Sequence, residues 1–292
     1  MSRAWPRLRD LWYVSLPMMK DRQAKMRDKR WTLITGASGG IGREFALLLS
    51  RRGHNIILAS RNIRKLEILK AEIGGNAAVE IMAADLSSAE GAPLLHQACA
   101  ERGFIVDTLV NNAGSGGFGK AIDIRCADTA RMLTLNVTSL TLLCALFGKD
   151  MAQRGEGRIL NVGSLSGNQP TPYFASYAAS KSYVLMYSLA LRCELSGSGV
   201  TVTCLQPGYV ATSFDDNAGI VSKSYRGFSR NHAMSAARTA LIGIDGMERG
   251  RAVVIAGGVN RAAAFFSSLA PRRLLASVLK STLKRIAPDM DL

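Results

Sequence analysis

The sequence predicts an α/β fold, a doubly wound parallel β-sheet with helices on both faces. Short apolar runs alternate with amphipathic ones from residue 31 to residue 255, and strands that alternate with helices pair in parallel through crossover connections. The first apolar run, WTLIT at 31–35, opens into the glycine-rich turn GASGGIG at 36–42. Such a turn brings backbone close to a phosphate and aims the N–H groups of the next helix at it. The remaining stretches that carry chemistry also follow strands, at the carboxyl ends where open parallel sheets bind ligands.

In the first turn, Gly36, Gly40 and Gly42 allow the tight bend, with Ser38 and Ile41 between them, and a helix is predicted over 43–52. The second strand, 55–61, ends in Ser60-Arg61. A dinucleotide-binding unit meets the adenosine ribose at this place, and an acidic residue there would repel a 2′-phosphate. The Arg61 guanidinium matches phosphate geometry instead, so NADP(H) is expected over NAD(H). Alternatively Arg61 is the first charge of the solvated helix at 62–73. The third strand, 79–84, is followed by Asp85-Leu86, and Asp85 could cap a helix beginning at Ser88. The fourth, 107–110, runs into Asn111-Asn112-Ala113-Gly114, whose small residues let backbone lie flat and whose Asn111 can tie neighbouring strands. A helix over 127–151 contains Asn136, and a buried amide there needs partners.

The fifth strand, 158–162, leads to Ser164 and a loop carrying Gly167, Pro170 and Pro172. Tyr177 and Lys181 follow, four apart and on one face of a helix. A cation beside a phenol favours phenolate and lowers the phenol's pKa. The sixth strand, 200–206, delivers Pro207-Gly208-Tyr209-Val210-Ala211-Thr212. A segment without period, 213–233, carries Phe214, Ile220, Val221, Tyr225 and Phe228, and then come a helix over 235–248 and a last strand over 252–255.

The ordered set T-G-x-x-x-G-x-G (35–42), N-N-A-G (111–114), Ser164 with Y-x-x-x-K (177–181) and Pro207-Gly208 resembles the short-chain dehydrogenase/reductase family in its classical branch, over residues 29–255. The resemblance implies a Rossmann-type fold and reversible hydride transfer between a nicotinamide and a carbonyl or secondary alcohol. Its catalytic set would be Asn136, Ser164, Tyr177 and Lys181. Tyr177 would give or take the proton, Lys181 would tune it and bind ribose, Ser164 would hydrogen-bond the carbonyl oxygen, and Asn136 would hold a relay water. Asp85 and Leu86 would meet adenine, Asn112, Ala113 and Gly114 would lie along the cofactor, and Pro207, Gly208, Val210 and Thr212 would meet the nicotinamide. Residues 213–233 would be a substrate lid with an apolar lining suited to a lipophilic ketone or 3-oxoacyl chain. One departure concerns Gly39, where NADP-preferring relatives often carry a second basic residue. A nucleotide-sensing protein without turnover is the alternative from another class.

The net charge of +15 is concentrated at the ends: residues 1–30 hold nine Lys/Arg against three Asp, and residues 258–292 hold six against two. This pattern implies basic terminal arms rather than a nucleic-acid groove, and no nucleic-acid partner is expected. The organisation expected is a basic extension at 1–28, a catalytic domain at 29–258 and a basic amphipathic helical extension at 259–292. In the last, Leu275, Val278, Leu279, Leu283 and Ile286 share one face of a helix over 271–287. That helix either docks on its own subunit or a neighbour, closing the substrate cleft, or lies weakly on an anionic membrane. Five scattered cysteines suit a reducing compartment, so a cytoplasmic protein is expected. The three histidines lack ligand spacing, and no metal is expected. Apolar surplus on 127–151 and 175–196 points to a homodimer or homotetramer.

Overall fold

The computed structural model describes residues 30–289, apart from Asn76 and His232, so the basic arm expected over 1–28 lies outside the described residues. Seven parallel strands form one sheet: β1 Arg30–Thr35, β2 Asn55–Ser60, β3 Val79–Ala83, β4 Ile105–Asn111, β5 Gly157–Val162, β6 Val200–Gln206 and β7 Val253–Ile255. Their order is β3-β2-β1-β4-β5-β6-β7. Alternate residues of each strand point to opposite faces, and both faces are covered, which is why the strands read as continuous apolar runs.

One face buries Leu33, Ile57, Leu109, Ile159 and Val202 under three helices, α3 (Gly91–Glu101), α4 (Cys126–Arg154) and α5 (Ala175–Glu194). The other buries Ile34, Leu58, Val110, Leu160 and Leu205 under α1 (Gly40–Arg51), α2 (Ile63–Glu72) and α8 (Ala236–Glu248). Between strands β6 and β7 lie two short helices, α6 (Phe214–Asn217) and α7 (Lys223–Asn231), in the stretch that showed no period. Direction of strand addition reverses between β1 and β4, and the crevice outside their carboxyl ends is where such sheets take ligands.

Several local expectations are corrected. The first helix starts at Gly40, inside the glycine turn. After β5 the chain makes a 3-10 turn, Leu165–Asn168, where only loop was expected. Asp85 caps no helix, because α3 begins at Gly91; its carboxylate instead accepts from the Ser87 N–H (3.0 Å) and hydroxyl (2.6 Å). Beyond β7 there are two helices rather than one, α9 (Gly258–Leu269) and α10 (Arg272–Ile286). Helix α4 is long and apolar enough to cross a membrane by composition, but Leu140, Leu143, Phe147 and Met151 seat it in the core. It is a sheet-covering helix.

Candidate active site

Asparagines and one threonine hold the strand ends together. Thr35 at the end of β1 accepts hydrogen bonds through its hydroxyl from the N–H groups of Asn112 and Ala113, both at 3.0 Å. The Asn112 amide donates back to the carbonyls of Thr35 (3.0 Å) and Gly36 (3.2 Å). The glycine turn and the Asn-Asn-Ala-Gly turn are thereby one unit. Gly42 is part of the same staple: a Cβ there would lie 2.4 Å from the Gly36 carbonyl oxygen and 2.5 Å from the Asn112 amide nitrogen. One layer deeper, Asn111 donates to Asn161 (3.0 Å) and ties β4 to β5.

These ends open on one cleft of about 770 Å³. Of the residues singled out in the sequence, Gly36, Ser38, Gly40, Ile41, Ser60, Arg61, Asp85, Leu86, Asn112, Ala113, Gly114, Ser164, Tyr177, Lys181, Pro207, Gly208, Val210 and Thr212 all line it. Gly42 and Asn136 do not; both sit one layer behind. Asn136 lies in a π-helical turn of α4, Thr134–Thr138, a feature often found at functional sites. Its amide donates to the Ser115 carbonyl (2.9 Å) and the Ser180 hydroxyl (3.1 Å), and its oxygen accepts from the Ser115 N–H (3.0 Å). Asn136 therefore clamps the loop after Gly114 to helix α5 beside Lys181. A Cβ at Gly114 would lie 3.2 Å from the Asn136 oxygen and 3.4 Å from Lys181 Nζ, so the absence of a side chain there is what lets these groups approach.

The Ser164 hydroxyl accepts from the Ser166 N–H (3.2 Å) and lies beside the Tyr177 phenol, whose pKa it draws down. Its own proton is thus free to be donated into the cleft. Lys181 stands 5.9 Å from the Tyr177 ring centre, is buried, and donates to the Val162 carbonyl at 2.9 Å. Burial, the larger effect, pushes the Tyr177 phenol up to about 12 despite the neighbouring Ser164 hydroxyl. Burial likewise brings the Lys181 ammonium down to about 8. This corrects the expectation that the cation would lower the phenol's pKa. In a site dry enough to penalise any charge, desolvation outweighs the pair attraction, and each group is driven toward its neutral form. A phenol in this state is a proton donor with an adjacent hydroxyl to share the charge left behind.

At the adenosine end, Arg61 is exposed and only 4.0 Å from Asp85, a loose pair. Sequence reasoning missed Lys65, which lines the cleft beside it. The signal was present: Lys65 is four residues after Arg61, and the Asn62 side chain that caps α2 accepts from the Lys65 N–H at 3.0 Å. Gly39 leaves open space where a Cβ would stand, so the second cation comes from the helix rather than from the loop. The N-terminus of α1 has no side-chain cap and no acidic residue in its first turn. Uncapped helical N–H groups beside Gly36, with two cations about a strand away, form a cradle that fits a dinucleotide with an extra phosphate.

At the other end, Phe214, Tyr225 and Phe228 face the cleft, whereas Ile220 is buried behind them and Val221 points to solvent, correcting their expected place in the lining. Phe118, Phe174 and Tyr225 form a connected ring cluster, with Phe118 centred 4.7 Å from Phe174 and 5.5 Å from Tyr225. Tyr173, just before Phe174, has φ 64, an uncommon conformation for a residue with a side chain. Of the two uses expected for helix α10, the docked one is seen: Leu279, Thr282, Leu283 and Ile286 wall the cleft, whereas Val278, expected on the same face, is exposed. Past its end, Asp289 accepts from the Ser222 hydroxyl (2.5 Å) and the Lys223 N–H (2.8 Å), fastening the start of α7.

A profile of the short chain dehydrogenase family matches residues 30–220. The chain belongs to that family. It is 35% identical over 192 residues to the very-long-chain 3-oxoacyl-CoA reductase of Pyrenophora tritici-repentis, a match covering 63% of this chain and 55% of that protein. It thus spans about half the length of that relative. It is 37% identical over 183 residues to the sulfoacetaldehyde reductase of Chromohalobacter salexigens, covering 62% of this chain and 72% of that one. Among solved structures, a short-chain dehydrogenase from Sphingobium yanoikuyae in complex with NADPH superposes with a TM-score of 0.73 at 31% identity, covering 82% of this chain and 93% of that one. A putative gluconate 5-dehydrogenase from Beutenbergia cavernae with bound NADP superposes with a TM-score of 0.71 at 29% identity, covering 80% and 97%.

Proposed function

We propose that this dehydrogenase interconverts an uncharged lipophilic ketone and its secondary alcohol with NADP(H). The observation that carries the substrate class is the lining of the cleft beyond Tyr177. Phe174, Phe214, Tyr225, Phe228, Leu279, Leu283 and Ile286 supply apolar surface, and the polar groups among them, such as Gln169, Thr171 and Thr282, are uncharged. A 3-oxoacyl chain fits such a lining, in keeping with the fungal relative. The sulfonate of sulfoacetaldehyde does not, because an anion in an apolar pocket needs a cation beside it.

NADP(H) supplies or receives the hydride when bound. Ser164 donates a hydrogen bond where negative charge develops on the carbonyl oxygen. Tyr177 passes its proton to that oxygen or takes it back. Lys181, held by the Val162 carbonyl, stabilises the phenolate that Tyr177 becomes, and Asn136 keeps α5 and the loop after Gly114 in register. Arg61 and Lys65 would hold the 2′-phosphate, and the uncapped end of α1 would hold the pyrophosphate. Leu133, Tyr183 and Met186 stand exposed on α4 and α5, which supports self-association through those helices.

The decisive measurement is NADPH oxidation against ketones and 3-oxoacyl thioesters graded in chain length, with sulfoacetaldehyde included. Specificity constants should rise with each added methylene, by roughly fourfold for a fully buried one, and sulfoacetaldehyde should be inert. Turnover confined to sulfoacetaldehyde would overturn the substrate class.

A pH profile tests the role of Lys181. Its ammonium discharges near 8 in the fold, while the unfolded chain keeps the proton to about 10.4. The burial cost of this residue is therefore present in full below about 8 and is relieved as pH rises toward the unfolded value. Tyr177 stays protonated throughout, so kcat/KM for reduction should be level at neutral pH and fall above about 8 as Lys181 loses its charge. Lys181→Arg, which does not titrate there, should lose that limb. A native profile level to pH 10 would show that the charge on Lys181 is not used.

A further inference from the structure

Helix α9 is apolar in composition yet buries none of its twelve residues. Val259 is 85%, Phe266 67% and Leu269 69% exposed. Phe265 is exposed beside Phe266, with ring centres 5.6 Å apart. Leu274 and Val278, one turn apart on α10, are exposed as well. Among the described residues nothing covers these apolar side chains, and exposed apolar groups in this number mark a docking surface.

Charge identifies the cover. Arg261, Arg272, Arg273, Lys280, Lys284 and Arg285 are all exposed, and residues 258–288 contain no Asp or Glu. Arg272 donates to the Asn168 carbonyl (3.4 Å); a second copy seated on this face by two-fold symmetry would set the other five cations against the same five. An anionic bilayer supplies both missing partners, negative headgroups for the cations and an acyl boundary for the rings, the combination that holds amphipathic helices at an interface. The other side of α10 carries Leu279, Leu283 and Ile286 into the cleft.

We propose that α9 and α10 dock this protein on an anionic lipid surface, with α10 standing between the acyl boundary and the cleft. The docking stands apart from the reading of the reaction, and its test needs no turnover.

The experiment is co-sedimentation of the full chain with vesicles of phosphatidylcholine alone and with phosphatidylglycerol added, at low and high salt. The native protein should pellet with the anionic vesicles and be released by salt. Phe265→Ser/Phe266→Ser should lower partitioning at least about tenfold, since each ring taken out of water is worth roughly that factor. Arg273→Glu/Lys280→Glu should abolish the preference for phosphatidylglycerol. All four positions are exposed, and unchanged circular dichroism and melting verify the fold. No pelleting at low salt overturns the proposal. So does native-like pelleting of the Phe double variant, which would assign the binding to the basic residues before position 30. So does a native dimer in light scattering that the Phe double variant dissociates, which would show a second copy on this face.

Discussion

Tyr177→Phe lowers kcat by about a thousandfold or more, near the upper range for a lost general acid, and leaves NADPH binding intact. The ring stays where it is, because its contacts with Phe214 (5.3 Å between centres) and Phe174 (6.1 Å) do not involve the hydroxyl. What is lost is the proton that burial keeps on the phenol at neutral pH and the oxygen that Ser164 faces. Single-turnover hydride transfer and a separate NADPH fluorescence titration check the two halves of the statement. Near-normal turnover with intact binding would remove Tyr177 from the chemistry. A parallel loss of binding would show that the variant had disturbed the site.

Arg61→Ala raises the Kd for NADPH by roughly ten- to hundredfold, the worth of one hydrogen bond to a charged group, and leaves NADH nearly unchanged. Lys65→Ala acts in the same direction, and the double variant should prefer neither cofactor. The loose 4.0 Å approach of Arg61 to Asp85 between exposed side chains contributes little stability by itself, so the loss is not an indirect unfolding effect. Paired titrations with both cofactors give the answer. Equal weakening of NADPH and NADH by Arg61→Ala would mean that Arg61 does not read the 2′-phosphate.

Both expectations start from residues visible in the chain, but not equally. Arg61 is legible because it ends an apolar run at a fixed place in a repeated strand–helix unit. Lys65 looks like any charge on a solvated helix until α2 is seen to start at Ile63 and turn that residue toward the cleft. Tyr177 and Lys181 share a face by spacing alone. Their protonation does not follow from spacing, since it depends on how completely the site excludes water. Sequence reasoning weighed the cation against the phenol and left out the larger effect, the burial of both.

The sequence by itself determined the parallel sheet, the order of its strands along the chain and the cleft at their carboxyl ends. Those follow from local rules: apolar runs too short for helices, glycines where the backbone must turn, and a right-handed crossover after each strand. Only the tertiary structure decided that Asn136 clamps the loop after Gly114 to α5, that α10 turns Leu279, Leu283 and Ile286 onto the cleft, and that no described residue covers α9. An amphipathic pattern states that a helix has an apolar face. What that face meets depends on segments far away in the chain, and no local period encodes them.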